Sequence, residues 1–477
     1  MNMKRYHLIV IGAGSGGLVS AAGAAGLGAK VALIEKNKMG GDCLNTGCVP
    51  SKAIIRAAKF AYDAKTANRF GIPNLNPEIK LDSIMASVRE VQSKIEPHDS
   101  AERFTSLGVD VYFGSFRFTS PFEITDGKET LTAKRFVIAT GSSPFVPEIP
   151  GLKEIPYLTS DNVWDLKELP NRLIVLGGGP IGCELAQVFA RLGSQVTLVE
   201  KMGGLLTRED PEVSRLMEKR FEQEKIDVLL QCTVKEIEKG PKGLELVVSH
   251  PIEGEMMIPF DQILVAIGRA PHVQGLDLEK AGVQYSSKGI IVDEKLATSA
   301  KHIFACGDVT GPYLFTHTAD FQARLILRNA LFPGSSKINY RVVPWCTFTD
   351  PEVARVGLNE DEAHAQNIPY DAYQYSMKEL DRAVCDRENE GFIKVLTKKG
   401  TDEILGVTLV GPHAGDLISE MVLAMHAGIG LKKIGTMIHI YPTLAEVSKR
   451  LADTFQRSRL TPRVKAWMKR YLEWRFG

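Results

Sequence analysis

Several shortages bound what this chain can be. Seven cysteines in 477 residues, at positions 43, 48, 183, 232, 306, 346 and 385, are too few and too scattered for a disulfide-built scaffold. Apolar residues never run for the ~18 positions that a membrane-spanning helix needs, so no span is expected. Charge of one sign is missing as well. The 58 Lys and Arg against 57 Asp and Glu leave a net +1, too weak a global field to gather nucleic acid, and no nucleic-acid partner is expected. The first residues lead straight into a strand-like apolar segment without a small-residue cleavage site, which points to a cytoplasmic protein. What is present is ordinary globular usage, 44% apolar and 24% charged, with length for about three domains.

Two segments share one plan. Leu8-Ile9-Val10-Ile11 leads into Gly12-Ala13-Gly14-Ser15-Gly16-Gly17, and Val31-Ala32-Leu33-Ile34 ends in Glu35. Leu173-Ile174-Val175-Leu176 leads into Gly177-Gly178-Gly179-Pro180-Ile181-Gly182, and Val196-Thr197-Leu198-Val199 ends in Glu200. From first Gly to Glu the separation is 23 residues in both. The chemistry of dinucleotide binding explains the pattern. One Gly makes the tight turn, a second lets backbone approach the pyrophosphate, and a third allows close helix–strand packing. The phosphates then meet the unpaired N–H groups of a helix N-terminus, and the Glu accepts from the ribose hydroxyls. One such motif is weak; two in the same context predict two dinucleotide sites.

Phe136 to Gly141 and Ile263 to Arg269 read as buried strands ending on Gly, and Ile303 to Asp308 as a strand ending on an acid. The expected organisation is α/β, with a first Rossmann-like domain at residues 1–150 and 271–340 and a second, residues 151–270, inserted in it. From about Arg341 the pattern changes to alternating strands and Gly- and Met-rich helical stretches, predicting a third, α+β domain over 341–455.

Cys43 and Cys48 are the only cysteines close in sequence, inside Gly40-Gly41-Asp42-Cys43-Leu44-Asn45-Thr46-Gly47-Cys48-Val49-Pro50-Ser51-Lys52. A helix starting here puts Lys52 one turn beyond Cys48 on the same face. A helix N-terminus and a nearby cation stabilise a thiolate, as redox chemistry requires.

With these residues in view the chain resembles the class I pyridine nucleotide–disulfide oxidoreductases, the family of dihydrolipoamide dehydrogenase, glutathione reductase and mercuric reductase, from residue 6 to about 450. The resemblance implies that FAD is held by Gly12, Gly14, Gly17 and Glu35 at its adenylate and by Asp308 at its ribityl chain. It implies that Gly177, Gly179, Gly182 and Glu200 hold NADH, NADPH being possible. Cys48 would be the thiolate against the flavin, Cys43 the thiol that exchanges with substrate, and Lys52 with Glu184 an ion pair next to the ring. Thr140-Gly141 and Gly268-Arg269 match later strand-end motifs. The third domain would make a homodimer.

The likeness breaks near the C-terminus. The family's disulfide reductases carry His-Pro-Thr there, the His being the thiol base, with a Glu four residues after the Pro. Here the stretch is His439-Ile440-Tyr441-Pro442-Thr443-Leu444-Ala445-Glu446: Glu446 is kept and Tyr441 holds the base position. Mercuric reductase resembles it in that Tyr, yet its C-terminal cysteine pair is absent, since no Cys follows Cys385. The acceptor therefore stays open between a small or protein-borne disulfide and a soft metal ion. His439, two residues before Tyr441 on an extended segment, would face the same side and is a candidate displaced base. Cys346 is read as a small buried apolar residue or a soft-metal ligand, and Cys183, Cys232, Cys306 and Cys385 as structural.

Residues 456–477 predict a basic amphipathic helix. Val464, Trp467, Met468, Tyr471 and Leu472 fall on one face, with Lys465, Lys469 and Arg470 elsewhere. Such a face either packs on the protein's own surface, the commoner use, or makes peripheral contact with an anionic membrane. A membrane-surface docking protein with a residual redox site is the rival from another class.

Overall fold

The structure, a computed structural model, describes residues 4–240 and 243–477. It divides into two compact units. One comprises Met1–Ala61, Glu78–Lys201 and Lys225–Asn339, the other Tyr62–Pro77, Met202–Glu224 and Tyr340–Gly477.

In the first unit each Gly-rich segment opens a sheet of its own, the first with a parallel core and Glu123–Thr125 and Arg117–Ser120 antiparallel at one edge, the second wholly parallel. Lys4–Ile11 lies between Val31–Glu35 and Thr130–Ile138, with Val109–Phe113 beyond Val31–Glu35. Ile303–Ala305 pairs parallel with Thr130–Ile138, so the chain returns to the first sheet after building the second. The second sheet runs Asp227–Leu229, Gln195–Val199, Arg172–Leu176, Gln262–Val265, all parallel. A parallel sheet is covered on both faces, which is why its strands read as unbroken apolar runs. Leu8 to Ile11 and Leu173 to Leu176 are each at most 5% exposed. Each such side chain contributes about 1.5–3 kcal/mol relative to an exposed one. An antiparallel sheet of Thr233–Gly240, Gly243–His250 and Gly254–Phe260 packs Leu246, Val248 and Phe260 against Ile174, Leu176 and Ile263 of the second sheet. Ser142–Pro144 and Arg269–Pro271, the strands by which the chain leaves and re-enters the first half, pair antiparallel.

The second unit is built on a five-stranded antiparallel sheet in the order Pro344–Thr347, Glu352–Gly357, Ile404–Gly411, Phe392–Lys398, Tyr370–Ser376. Its core joins Val356, Val395 and Leu409 to Ile418 and Met421 of the Ala414–Ala427 helix and Leu451 and Phe455 of the Glu446–Ser458 helix. Buried ion pairs draw the 202–224 segment onto this sheet. Lys394, flanked by Ile393 and Val395 in its strand, meets Asp210 and Glu212, and Arg355 meets Glu209 at 3.2 Å. Desolvated charges are tolerated there because each is matched by a partner. The Pro462–Phe476 helix closes the chain with no buried residue. Packing of its apolar face on the protein's own surface is therefore not found.

Candidate active site

At the end of Lys4–Ile11 the chain turns at Gly12, φ +102°, where a Cβ would sit 2.3 Å from the Ala139 oxygen; a Cβ on Gly17 would sit 1.8 Å from the Gly12 oxygen. The second half repeats both approaches, 2.6 Å to the Ala266 oxygen for Gly177 and 1.9 Å to the Gly177 oxygen for Gly182. Gly14 and Gly179 are different. Each precedes a helix, Ser15–Gly26 or Pro180–Leu192, and a Cβ would meet nothing closer than 3.8 Å at Gly14 and nothing within 4 Å at Gly179. The outer glycines thus fasten strand to helix, while the middle one leaves the helix N-terminus open for an anion. Glu35 accepts from the Ala13 N–H at 2.8 Å and Glu200 from the Gly178 N–H at 2.6 Å. In both halves the acid thus returns to the residue after the first Gly. Open turn, helix N-terminus and carboxylate together fit a dinucleotide in each half.

The later strand ends converge on Arg269. Its guanidinium lies 2.9 Å from Asp42 and 3.7 Å from Asp308, and it donates to the Ser142 hydroxyl at 2.7 Å. Ser142 in turn donates to Asp308 at 2.6 Å, while burial pushes the Asp308 carboxyl above its usual range. Thr140 donates to the His272 carbonyl at 2.8 Å, tying the two crossing strands. Gly141 and Gly268 both adopt positive φ.

Cys43 lies in the short Gly41–Asn45 helix and Cys48 is the first residue of Cys48–Lys65. Both are free thiols. The loop joining them is pinned from several sides. Thr46 and Gly47 donate their N–H groups to the Asp42 carbonyl, Gln92 donates to the Leu44 and Asn45 carbonyls at 3.0 and 2.9 Å, and Trp164 donates to the Thr46 carbonyl at 2.9 Å. The two thiols are unequal. Cys48 is lowered to about 6 by its hydrogen bond with Cys43, helped by Thr316, whose hydroxyl is 3.5 Å away, and by Lys52. Cys43 is pushed up by the same hydrogen bond and by burial. A thiolate at a helix N-terminus also gains from the helix dipole. Lys52 donates to the buried Glu184 at 3.0 Å, so the cation one turn along is held in place by the helix of the second nucleotide half.

In the second unit Tyr441 is 64% exposed and donates to Asp381 at 3.0 Å, a hydrogen bond that raises its pKa above the ordinary phenol value. His439 was expected on the same side. Residues 437–445 form no strand, so side chains do not alternate: His439 turns inward, 7% exposed, with Nε2 3.1 Å from Glu420. Glu446 opens the Glu446–Ser458 helix and accepts from Arg450 at 3.3 Å. Cys346 is half-buried against the core of this unit, 4.0 Å from Glu352. Cys183, Cys232 and Cys306 are buried, as structural cysteines should be, whereas Cys385 is exposed.

A family model described as pyridine nucleotide-disulphide oxidoreductase matches residues 6–323, and the dimerisation domain of the same family matches residues 343–452. The chain belongs to the pyridine nucleotide-disulphide oxidoreductase family. It is 34% identical to a mercuric reductase of Streptomyces lividans over 94% of this chain and 96% of that one. It is 38% identical to a dihydrolipoyl dehydrogenase of Thermus scotoductus over 93% and 96%. Among solved structures it resembles the HOCl-induced flavoprotein disulfide reductase RclA of Escherichia coli, described also as a Cu(II) complex, with a TM-score of 0.84 and 26% identity over 94% of this chain and 99% of that one. Members of the family are FAD-dependent and use NAD(P)H, and this chain is a flavin-dependent oxidoreductase carrying the family's dimerisation domain.

Within that family pattern the sequence left several groups around the cysteines unassigned. Arg269 follows a strand-end Gly and Asp42 precedes Cys43, and neither position signals in the sequence that the two side chains meet at 2.9 Å. Thr316, Gln92 and Trp164 carry no local motif, and only folding brings them to the loop. Among the described residues no helix is long and apolar enough to cross a membrane.

Proposed function

We propose that this protein takes a hydride from NADH, passes its two electrons through FAD and the Cys43–Cys48 pair, and delivers them to a soft metal ion such as Hg(II). The alternative acceptor is a disulfide of the lipoyl kind. The two electrons of one hydride reduce one disulfide to two thiols with uptake of one further proton from solvent, or one Hg(II) to the metal or two Cu(II) to Cu(I) with release of one proton. The observation that carries the reading is the unequal thiol pair, with Cys48 a thiolate near neutral pH and Lys52 fixed one turn away.

FAD, when bound, supplies the two-electron carrier between nicotinamide and dithiol. In this reading Gly12, Gly14, Gly17 and Glu35 hold its adenylate, Thr140, Gly141 and Asp308 the remainder, and Gly177, Gly179, Gly182, Glu200 and Gly268 the nicotinamide cofactor. Cys48 would face the flavin, Cys43 would meet the acceptor, and Lys52, oriented by Glu184, would supply positive charge to the ring. Residues 1–150 with 271–340 form the FAD domain, 151–270 the NAD(P) domain, and 341–455 the interface of a homodimer. The thiols suit the reducing cytoplasm. The basic last helix gives the dimer a peripheral membrane contact.

Tyr441 favours the metal over the lipoyl acceptor. Oxidising a dithiol substrate requires a base with a pKa near 7, and a phenol, about 10 to begin with, is moved further away by donating to Asp381. A soft metal displaces the remaining Cys43 proton to solvent as it binds, so it needs no protein base. The test is steady-state NADH and NADPH oxidation by the FAD-loaded protein with Hg(II), Cu(II), lipoamide, glutathione disulfide and quinones. Turnover with a soft metal that both cysteines support is expected. Absence of any acceptor that depends on Cys43 and Cys48 would overturn the reading.

A further inference from the structure

No residue of the Pro462–Phe476 helix is buried, and the helix contributes nothing to the redox site. It is nevertheless well begun, with Thr461 accepting from the Val464 N–H at 3.3 Å and Pro462 in the first turn. A helix of 15 residues is marginal in water by itself, so its apolar stripe calls for a surface.

Two observations say which surface. First, the apolar side is aromatic at its edge. Trp467 stacks on Tyr471 at 5.8 Å and Tyr471 meets Trp474 at 6.1 Å, with Trp467 63% and Trp474 80% exposed. Trp and Tyr are the residues that settle at a membrane–water boundary, where one part of the ring is apolar and the other wet. Second, the helix carries Arg463, Lys465, Lys469, Arg470 and Arg475 against the single acid Glu473. Its ion pair and side-chain hydrogen bond lie within the helix, Lys469 with Glu473 at 3.8 Å and Arg475 with Tyr471 at 2.8 Å. A second copy of the same helix would bring like charge onto like, and the family's dimerisation match ends at residue 452, before this helix begins. An anionic lipid surface complements both the charge and the rings.

We propose that the Pro462–Phe476 helix lies in the plane of an anionic phospholipid surface, with Trp467, Tyr471, Leu472 and Trp474 at the headgroup boundary and its basic residues on lipid phosphates. This deepens the peripheral-contact reading above and leaves the redox chemistry unaltered, because the helix holds none of the site residues.

The test floats the FAD-loaded full-length protein with vesicles of phosphatidylcholine alone or mixed with phosphatidylglycerol. Binding to the anionic vesicles should be about tenfold tighter or more, weaken at high salt, and shift tryptophan emission to the blue. The triple variant Lys465→Gln, Lys469→Gln, Arg470→Gln should lose about that same factor, and deletion of residues 461–477 should abolish flotation while leaving dimer mass unchanged. Equal binding to both vesicles, flotation that survives the deletion, or a deletion that splits the dimer would overturn the proposal, the last by assigning the helix to a second copy. NADH oxidation is followed on the same samples. Loss of acceptor turnover with flotation intact would overturn the redox reading and leave this one standing.

Discussion

The loop between Cys43 and Cys48 is held from four directions, by Asp42, Gln92, Trp164 and Thr316, and each contact either fixes its backbone or favours a thiolate. The stretch from His439 to Glu446 is held differently. Its phenol is exposed and spent on Asp381, and its imidazole is turned inward to Glu420. One segment holds a thiol whose pKa is lowered, and the other holds a phenol bonded to Asp381 and an imidazole bonded to Glu420. On the function proposed above, the choice of acceptor would lie with the second segment.

Removing the thiols breaks the comparison most severely. Cys48→Ser is expected to lower acceptor turnover by at least about 10³-fold, the scale for loss of a catalytic nucleophile. Cys43→Ser should leave the Cys48 thiolate beside oxidised flavin, visible as a long-wavelength absorbance. A band in the Cys48 variant instead would reverse the roles.

Lys52→Met sharpens it. The Cys48 thiolate, with its pKa lowered to about 6, is present above that pH and is protonated as pH falls through it. Iodoacetamide alkylation of the reduced protein should therefore rise with pH and level off above the inflection. Without the cation the inflection should move up by about one pH unit. An unmoved inflection would assign the low pKa to Cys43, Thr316 and the helix end without Lys52. Asp42→Asn should move it the other way and by less, because the Asp42 carboxylate opposes both thiolates while Arg269 partly offsets its charge.

The smallest effect concerns the nicotinamide cofactor. Glu200 accepts from the Gly178 N–H, and if it faces the ribose as proposed it would repel a 2′-phosphate, so NADH should be preferred and Glu200→Ala should narrow the kcat/KM ratio by about tenfold. A wild-type preference for NADPH would show that Glu200 does not face the ribose.

What was legible in the sequence is what acts over short separations. The two Gly turns, Glu35 and Glu200, and the placing of Cys48 one helical turn before Lys52 all follow from sterics and periodicity within about 25 residues. The partner of Lys52 was readable only through family resemblance, because Glu184 lies 132 residues on. Thr316, 268 residues from Cys48, and Trp164, 118 residues from Thr46, left no local signature. The shared face expected for His439 and Tyr441 failed because it assumed a strand where the chain forms none. Cys385, expected to be structural, is exposed because it ends the short Asp381–Cys385 helix on its outer side. The terminal helix expected over 456–477 begins at Pro462, residues 456–458 completing the preceding Glu446–Ser458 helix, and its exposure was not legible, since an amphipathic pattern does not say which surface it meets.

The most direct test of the account measures wild type and Tyr441→His side by side, as NADH-dependent Hg(II) reduction and as dihydrolipoamide oxidation at neutral pH. General-base assistance is worth about 10² to 10⁴ in rate. Dihydrolipoamide oxidation should be poor in the wild type and raised toward that range by Tyr441→His, with Hg(II) reduction largely unchanged. Efficient dihydrolipoamide oxidation by the wild type, lost in His439→Ala, would contradict it and make the inward-turned imidazole the base of a lipoamide-type enzyme.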